Sequence, residues 1–491
     1  MEHIVDELLT RLSLSRVNLI YTGGGHCYLL LPNTEAVRAA AKDWKREVNR
    51  WLMERFDTGL YIAGAGVPCS ARDLQNDPAG SYRALFHNLF EQLSAEKAHR
   101  YSAEDILYLN SRKEKGEHEC RVCRRMEPIF RDGKCRICAS LESSSANILY
   151  TDYFAISRES NGSDLPLPGG CYLQAMEEDE LKAFMRKDAY VRCYTKNEMC
   201  TGLHVTTKLL VGNYTCGMPF DQMAKTAEGI DRIAVLRADV DNLGHAFVQG
   251  IPDPYLSLSR TATFSRQMSL FFKGYLNGIL ENGESCYFSS GGKRNVTIVY
   301  SGGDDLFLVG AWNEVIDAFV DIRNAFARFT QETLTLSGGV GLYPGHYPVN
   351  VMALETAELE QAAKDVPEKN AAVLFTAEAA FPWKILIGQV FEEKYRTLST
   401  FFDQSEDHGK AFLYRLLELL RDNEEKIQFA RYIYLLSRME PKSDQGEEKL
   451  RNYRAFSRKM CEWYQNSDDR KQLITAIYLY VYRNREEDRR E

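Results

Sequence analysis

Nowhere in this sequence does an apolar run approach the ~18 consecutive positions that a membrane-spanning helix requires. The start, Met1-Glu2-His3-Ile4-Val5-Asp6-Glu7, lacks the basic and then apolar region of a secretory signal. Together these absences lead us to expect a cytoplasmic protein with no membrane partner. An excess of positive charge is missing too: 61 Lys and Arg stand against 69 Asp and Glu, for a net charge of −8. The surface as a whole is therefore no electrostatic trap for nucleic acid. Any RNA or DNA contact must come from local basic patches or from partner subunits. Nor is there a disulfide framework. Cys27, Cys69, Cys171, Cys193, Cys200, Cys216, Cys286 and Cys461 are scattered along the chain, which suits reduced thiols. No His is directly followed by Asp.

What is present is an ordinary soluble composition, 44% hydrophobic and 26% charged. A length of 491 residues suggests about three domains, each with its own core.

The chain is organised around Val296-Thr297-Ile298-Val299-Tyr300-Ser301-Gly302-Gly303-Asp304-Asp305-Leu306-Phe307-Leu308-Val309. Two β-prone apolar runs flank Gly-Gly-Asp-Asp, which predicts a hairpin with glycines and carboxylates at its tip. Glycine lets a backbone approach a ligand closely. Adjacent carboxylates repel unless a cation lies between them, and magnesium prefers such hard oxygens together with substrate phosphates. Upstream, the strand Ile233–Ala238 runs into Asp239-Val240-Asp241-Asn242-Leu243-Gly244. If the two strands are neighbours, Asp239 and Asp304 converge at one sheet end, the arrangement for metal-assisted phosphoryl transfer. Each element alone also reads as an ordinary Asp-Gly turn.

The pair resembles the palm domain of nucleotide polymerases and cyclases. The sequence is most similar to the large subunit of type III CRISPR effector complexes, type III-A in particular, which carries Gly-Gly-Asp-Asp on a hairpin and an upstream Asp-x-Asp-Asn-Leu-Gly. The GGDEF diguanylate cyclases share the fold, but Asp305-Leu306 departs from their motif. The resemblance implies an α+β protein with two ferredoxin-like palm domains, a zinc-binding insertion and a C-terminal α-helical bundle. It implies synthesis of cyclic oligoadenylate from ATP with Mg²⁺ or Mn²⁺ held by Asp239, Asp304 and Asp305, aided by the Val240 carbonyl. Asp305 would hold the second metal or orient the 3′-hydroxyl. Nucleotide contacts are expected from Val240, Asp241, Asn242, Leu243 and Gly244, from Ser265, from Gly302 and Gly303, and from Lys364 and Lys369. Expected partners are the other subunits of the effector complex, including the small helical subunit and the guide-handle-binding subunit, with CRISPR RNA and target RNA.

Four regions follow, about 1–100, 101–225, 226–380 and 381–491. The first opens with an amphipathic helix (Ile4, Leu8, Leu9, Leu12), then a second strand–glycine–strand run through Gly23-Gly24-Gly25-His26. A helix over about 34–56 and a strand over 60–67 come next. The later hairpin has the same successors, a helix over about 312–332 and a strand over 333–341, so hairpin, helix and strand recur. In the family the acid-free copy is the degenerate palm, with the acceptor ATP between the palms near Gly23, Gly24, Gly25 and His26. His26 reads as a nucleotide contact or a plain polar tip. A palm needs a strand before its first helix, and family members carry an N-terminal histidine–aspartate nuclease domain. The chain therefore reads as N-terminally truncated and without that nuclease.

In the second region Cys120-x-x-Cys123 and Cys135-x-x-Cys138 have the spacing of a four-thiolate zinc site, closed and hence structural. Four unrelated reduced cysteines are the alternative. Around them lie Arg112, Lys113, Lys115, Arg121, Arg124, Arg125, Arg131, Lys134 and Arg136, interleaved with Glu114, Glu117, Glu119, Glu127 and Asp132. That pattern reads equally as an RNA-contacting patch or a solvated surface. Ser157 to Gly170 reads as a surface loop. In the third region a helix over about 260–281 has Phe264, Met268, Phe271, Phe272 and Tyr275 as its buried stripe, with Ser265 and Arg266 near its start. Lys364 and Lys369 precede the strand Ala372–Phe375. A similar lysine in cyclase palms reaches the triphosphate; a solvated lysine is the alternative. The fourth region has helical periodicity rich in aromatics, Tyr414 and Tyr432 among them, and ends in a charged tail, Arg483 to Glu491. Two further functions stay open: a GTP-using GGDEF-like cyclic dinucleotide synthase, and a non-catalytic scaffold of an RNA-guided complex.

Overall fold

A computed structural model describes the chain except residues 24, 112–115, 117, 163, 404–409, 422–425, 442–446 and 486–491. Gly24, five charged residues before the first knuckle (Arg112, Lys113, Glu114, Lys115, Glu117) and most of the charged tail thus lie outside the described residues. The fold is mixed α+β and divides into two compact units, Met1–Val211 with Gly244–Leu270, and Gly212–Leu243 with Phe271–Glu491.

In the first unit the helix Glu35–Phe56, capped by the Thr34 side chain, buries Trp44, Val48 and Leu52 against Ile4 and Leu8 of the helix Glu2–Arg11. The spacing of four places all three on one helical face. Between these helices lies a two-stranded hairpin, β1 (Leu19–Gly23) and β2 (His26–Leu29). The strand expected over 60–67 does not form. Its backbone finds a side chain instead of a ladder partner: the Asn49 amide donates to the Ile62 carbonyl at 2.9 Å and accepts from the Ile62 N–H at 2.8 Å. A side-chain amide can satisfy a backbone pair as a neighbouring strand would.

A small hairpin, β3 (Ile129–Arg131) and β4 (Lys134–Cys135), runs into the helix Arg136–Tyr150. Then come β5 (Tyr153–Ser157), β6 (Leu165–Leu167), β7 (Cys171–Met176), β8 (Tyr190–Lys196) and β9 (Thr207–Leu209), in the sheet order β6-β7-β5-β8-β9. The expected surface loop over 157–170 therefore contributes an edge strand, and its Asp164 is buried.

The second unit is built on β10 (Ile233–Val240), β11 (Val296–Ser301), β12 (Asp305–Ala311), β13 (Leu336–Tyr343), β14 (Ala371–Leu374) and β15 (Ala380–Pro382). Their order is β11-β12-β10-β13-β14-β15, and only β13–β14 is parallel. β10 is central because it is apolar on both faces: Ile233, Ala234, Val235 and Leu236 are fully buried. The helix Val349–Lys364 buries Met352, Thr356, Leu359 and Ala363, one face at helical spacing. Gly339 on β13 lets it approach. A Cβ there would meet Leu359 Cβ at 2.5 Å and the Glu360 N at 2.7 Å. The last turn of that helix is thereby fixed over the end of β10.

The expected helix at 260–281 is interrupted. An α-helix Leu258–Leu270 gives way to one π-helical turn, Phe271–Tyr275, before Leu276–Glu281. Met268, Phe271 and Phe272 are buried as expected, but Tyr275 is half exposed, because the wider turn rotates it off the stripe. Beyond the sheet the chain is helical, with helices Lys410–Arg421, Lys426–Ser437, Glu447–Gln465 and Ser467–Asn484. Tyr432 is buried among them, whereas Tyr414 is exposed. None of the described helices is long and apolar enough to cross a membrane.

Candidate nucleotidyl-transfer site

The register of β10 against β12 sets Asp239 opposite Asp305, and that of β10 against β13 sets Asp239 opposite Ser337. The Val240 N–H donates to the Asp304 carbonyl at 3.1 Å, tying the hairpin tip to the end of β10. The tip is closed by the Gly302 N–H on the Asp305 carbonyl at 2.8 Å. A Cβ at Gly302 would lie 2.3 Å from both Asp305 Oδ1 and the Tyr300 hydroxyl, so a side chain there would displace these two groups. Gly303 and Asp304 form the tip itself. The strands predicted to be neighbours are neighbours, and they bring Asp239, Asp304 and Asp305 to one sheet end.

The electrostatics there are those of crowded acids with one lysine, Lys364, against Asp239. Burial raises the Asp239 carboxyl to about 6, against the pull of Lys364, and the Asp304 and Glu360 carboxylates add to the rise. Asp305 Oδ1 is buried without a well-formed hydrogen bond, and the Tyr300 hydroxyl is the carboxylate's neighbour. Burial first, and then the Asp305 carboxylate, push the Tyr300 hydroxyl up to about 12. Hard carboxylate oxygens, repelling one another and partly unsatisfied, suit a divalent cation such as Mg²⁺. Among the described residues these three acids do not close into a cluster of the kind the cysteines form.

Lys364, at the end of helix Val349–Lys364, forms ion pairs with Asp239 and, at 3.1 Å, with Glu360. Burial pulls its ammonium down, but the two carboxylates outweigh burial and leave its pKa raised. Lys369 donates to Asn242 Oδ1 at 2.7 Å. It sits in a run of left-handed residues, Glu368, Lys369 and Asn370, as Asn242 is itself left-handed. Such backbone is costly for non-glycine residues and persists where surrounding contacts hold it.

Asp241, Ser265 and Arg266 are each held within the protein. Asp241 is 3% exposed, and its Oδ2 accepts from Thr335 Oγ1 at 2.7 Å, Ser337 Oγ at 2.9 Å and the Asn370 N–H at 3.0 Å. Oδ2 braces the loop, while Oδ1 is buried without a hydrogen-bond partner. Ser265 is 5% exposed, in the core of the other unit. Arg266 donates to the Ile20 carbonyl of β1 at 3.1 Å. Val240 is buried and takes part through its backbone, while Asn242 and Gly244 are exposed and Leu243 half-buried. Gly23, Gly25 (left-handed) and the exposed His26 form the tip of the β1–β2 hairpin in the first unit.

Glu360, Tyr300, Thr335 and Ser337 were missed from sequence. Glu360 had a signal, an i, i+4 Glu–Lys pair ending in a predicted site lysine. The others act only through sheet register.

In the first unit the four Sγ atoms of Cys120, Cys123, Cys135 and Cys138 lie within 4.8 Å of one another. All but Cys123 are buried. Burial opposes ionisation of Cys120, but backbone N–H groups aimed at its sulfur, Cys135 N–H at 3.3 Å among them, win and lower its pKa. Burial and the neighbouring thiols raise Cys138. Four cysteine sulfurs within 4.8 Å of one another, three of them on buried residues, fit a tetrahedral zinc ion. All twelve cysteines are free of disulfides.

Comparison with known proteins adds three family matches. Residues 232–373 match the Cas10/Cmr2 second palm domain, 1–112 match Csm1 subunit domain B, and 399–486 match the second helical domain of the Cmr2 subunit of the CRISPR RNA silencing complex. The sequence is 41% identical to a Cas10/Csm1 single-strand-specific deoxyribonuclease (subtype III-A) of Mycobacterium tuberculosis, over 99% of this chain and 63% of the relative. It is 39% identical to the Enterococcus italicus protein of the same description, over 99% of this chain and 62% of that one. The chain thus spans less than two thirds of the length of these relatives. In structure it is similar to the Csm1–Csm4 cassette in complex with cA4 (TM-score 0.68, 21% identity, 97% of this chain and 64% of that chain). It is also similar to Csm1 of T. onnurineus (TM-score 0.68, 22% identity, 98% and 64%). At these identities the likeness shows the fold.

Proposed function

The chain belongs to the Cas10/Csm1 family of subtype III-A, and from that premise we propose that the end of β10 and the β11–β12 tip convert ATP to cyclic oligoadenylates. The observation that carries this reading is the meeting of Asp239, the Asp304-Asp305 tip and Lys364 at one end of a palm sheet. Csm1–Csm4 cassettes of the same fold, 21% identical, are known with one ATP, with pppApA and with cA4. Those ligands are a substrate, a linear intermediate and a cyclic product of one chemistry.

Asp239 and Asp304 would hold Mg²⁺ or Mn²⁺ with the Val240 carbonyl, and Asp305 would hold a second ion or orient the 3′-hydroxyl. A bound divalent ion supplies charge for the reacting oxygens. The chain's own groups do the positioning. Lys364 and Lys369 face the triphosphate and neutralise its charge. Gly302 and Gly303 leave space at the tip, and the Asn242–Gly244 backbone offers N–H groups to phosphate. On the first unit, Gly23, Gly25 and His26 contact nucleotide. The four cysteines hold a structural zinc ion. We assign the chain to a cytoplasmic effector complex with a Csm4 subunit, the small helical subunit, CRISPR RNA and target RNA, the last being the activator. No residue of this chain is proposed to cut DNA.

The test is nucleotide choice. The assembled complex, given target RNA and Mg²⁺ with labelled ATP or GTP, should release cyclic oligoadenylate from ATP and no cyclic dinucleotide from GTP. Turnover of GTP but not ATP would replace this reading with the diguanylate-cyclase one.

A further inference from the structure

The end of helix Val349–Lys364 carries two charged side chains one turn apart. Glu360, its side chain 13% exposed, is held from two sides: Arg237 Nε lies 3.1 Å from Oε2 and Lys364 Nζ lies 3.1 Å from Oε1. The same Lys364 ammonium is paired with Asp239, whose side chain is 20% exposed. Arg237 and Asp239 are two positions apart on β10 and so share a face. Charge therefore alternates along one line, Arg237, Glu360, Lys364, Asp239, between strand and helix. A half-buried Asp239 beside Asp304 needs a positive neighbour, and here a side chain of the protein supplies it.

We propose that Lys364 is the internal counter-ion of the free site, competing with the divalent cation for Asp239, and that Glu360 is the seat that retains the displaced ammonium at the sheet end. The inference rests on the reading of Asp239 as a metal ligand. An ammonium and a divalent ion repel at contact distance, so each weakens the other's hold on the Asp239 carboxylate. With Glu360 already 3.1 Å from Nζ, Lys364 yields Asp239 by rotating the end of its chain, without losing a carboxylate partner or swinging into water. It then remains where a phosphate arrives. Lys364 is a positioning residue in the free state, and Glu360 acts through it.

The experiment is Mn²⁺ binding to the zinc-loaded 491-residue chain, without nucleotide, followed by electron paramagnetic resonance. Lys364→Gln should bind Mn²⁺ roughly tenfold more tightly, the effect of removing one competing charge from a partly buried carboxylate. Lys364→Arg keeps the competitor and should stay near wild type. Glu360→Gln leaves Lys364 with Asp239 as its carboxylate partner, and so should weaken Mn²⁺ binding; this variant carries the test if Lys364→Gln does not fold. Unchanged or weaker binding in Lys364→Gln, equal tightening in Lys364→Arg, or tighter binding in Glu360→Gln would overturn the inference while leaving the metal site standing. If Asp239→Asn binds Mn²⁺ as wild type does, the metal reading of Asp239 fails, and this inference with it.

Discussion

Asp239 and Asp241 share one acidic motif and Asp304 lies in the other, yet the three differ in what surrounds them. Asp241 is ringed by two hydroxyls and a backbone N–H and serves the fold. Asp239 faces another acid and a lysine. Residue type and spacing marked all three as candidates, and register alone separated them. The clustering of the four cysteines was legible, because such a cluster is a matter of spacing. They carry the prediction at this scale. The purified chain should contain one zinc by elemental analysis. Cys138→Ser should lose it and lower the unfolding temperature by on the order of 5 °C, while Mn²⁺ binding at Asp239 persists. Full zinc content in the Cys138→Ser protein would remove Cys138 from the site.

At the scale of elements, strongly periodic or doubly apolar segments were readable, and segments whose partner is a side chain were not. β10, the β11–β12 hairpin and the helices 312–330 and 349–364 follow from apolar patterning. The segment 60–67 has strand composition, but its backbone is matched by Asn49, which no periodicity reveals. The π-helical turn at Phe271–Tyr275 keeps a helical pattern while changing which residues face inward. Helix 349–364 matters most to the site, since it delivers Glu360 and Lys364, and Gly339 sets its distance from the sheet. Gly339→Val should cost about 1–3 kcal/mol by overpacking, because the nearest atoms belong to the helix's own backbone and Leu359 Cβ and must move as one. The displaced helix should also lose the Lys364–Asp239 pair. Denaturant unfolding gives the first quantity and Mn²⁺ affinity the second. A variant with unchanged stability would show that the helix is not held by this contact.

Across the whole molecule, the α+β class, the second palm and the helical C-terminal region were accessible from sequence because each rests on a long local pattern. The five-stranded sheet of the first unit was not, since its strands are short and joined by polar segments. The net charge of −8 gives the surface as a whole no attraction for nucleic acid. The central claim is that carboxylates at the end of β10 and at the β11–β12 tip perform nucleotidyl transfer. The most direct test is cyclic oligoadenylate synthesis by complexes assembled with wild type, with Asp304→Ala/Asp305→Ala and with Asp239→Ala, target RNA and Mg²⁺ present. The double variant should assemble with partner subunits and guide RNA, since removing mutually repelling acids from a hairpin tip costs little stability; Asp239→Ala, at the end of β10, is compared once its assembly is verified, and both should make no detectable product. Product at the wild-type rate from the assembled double variant would contradict the account.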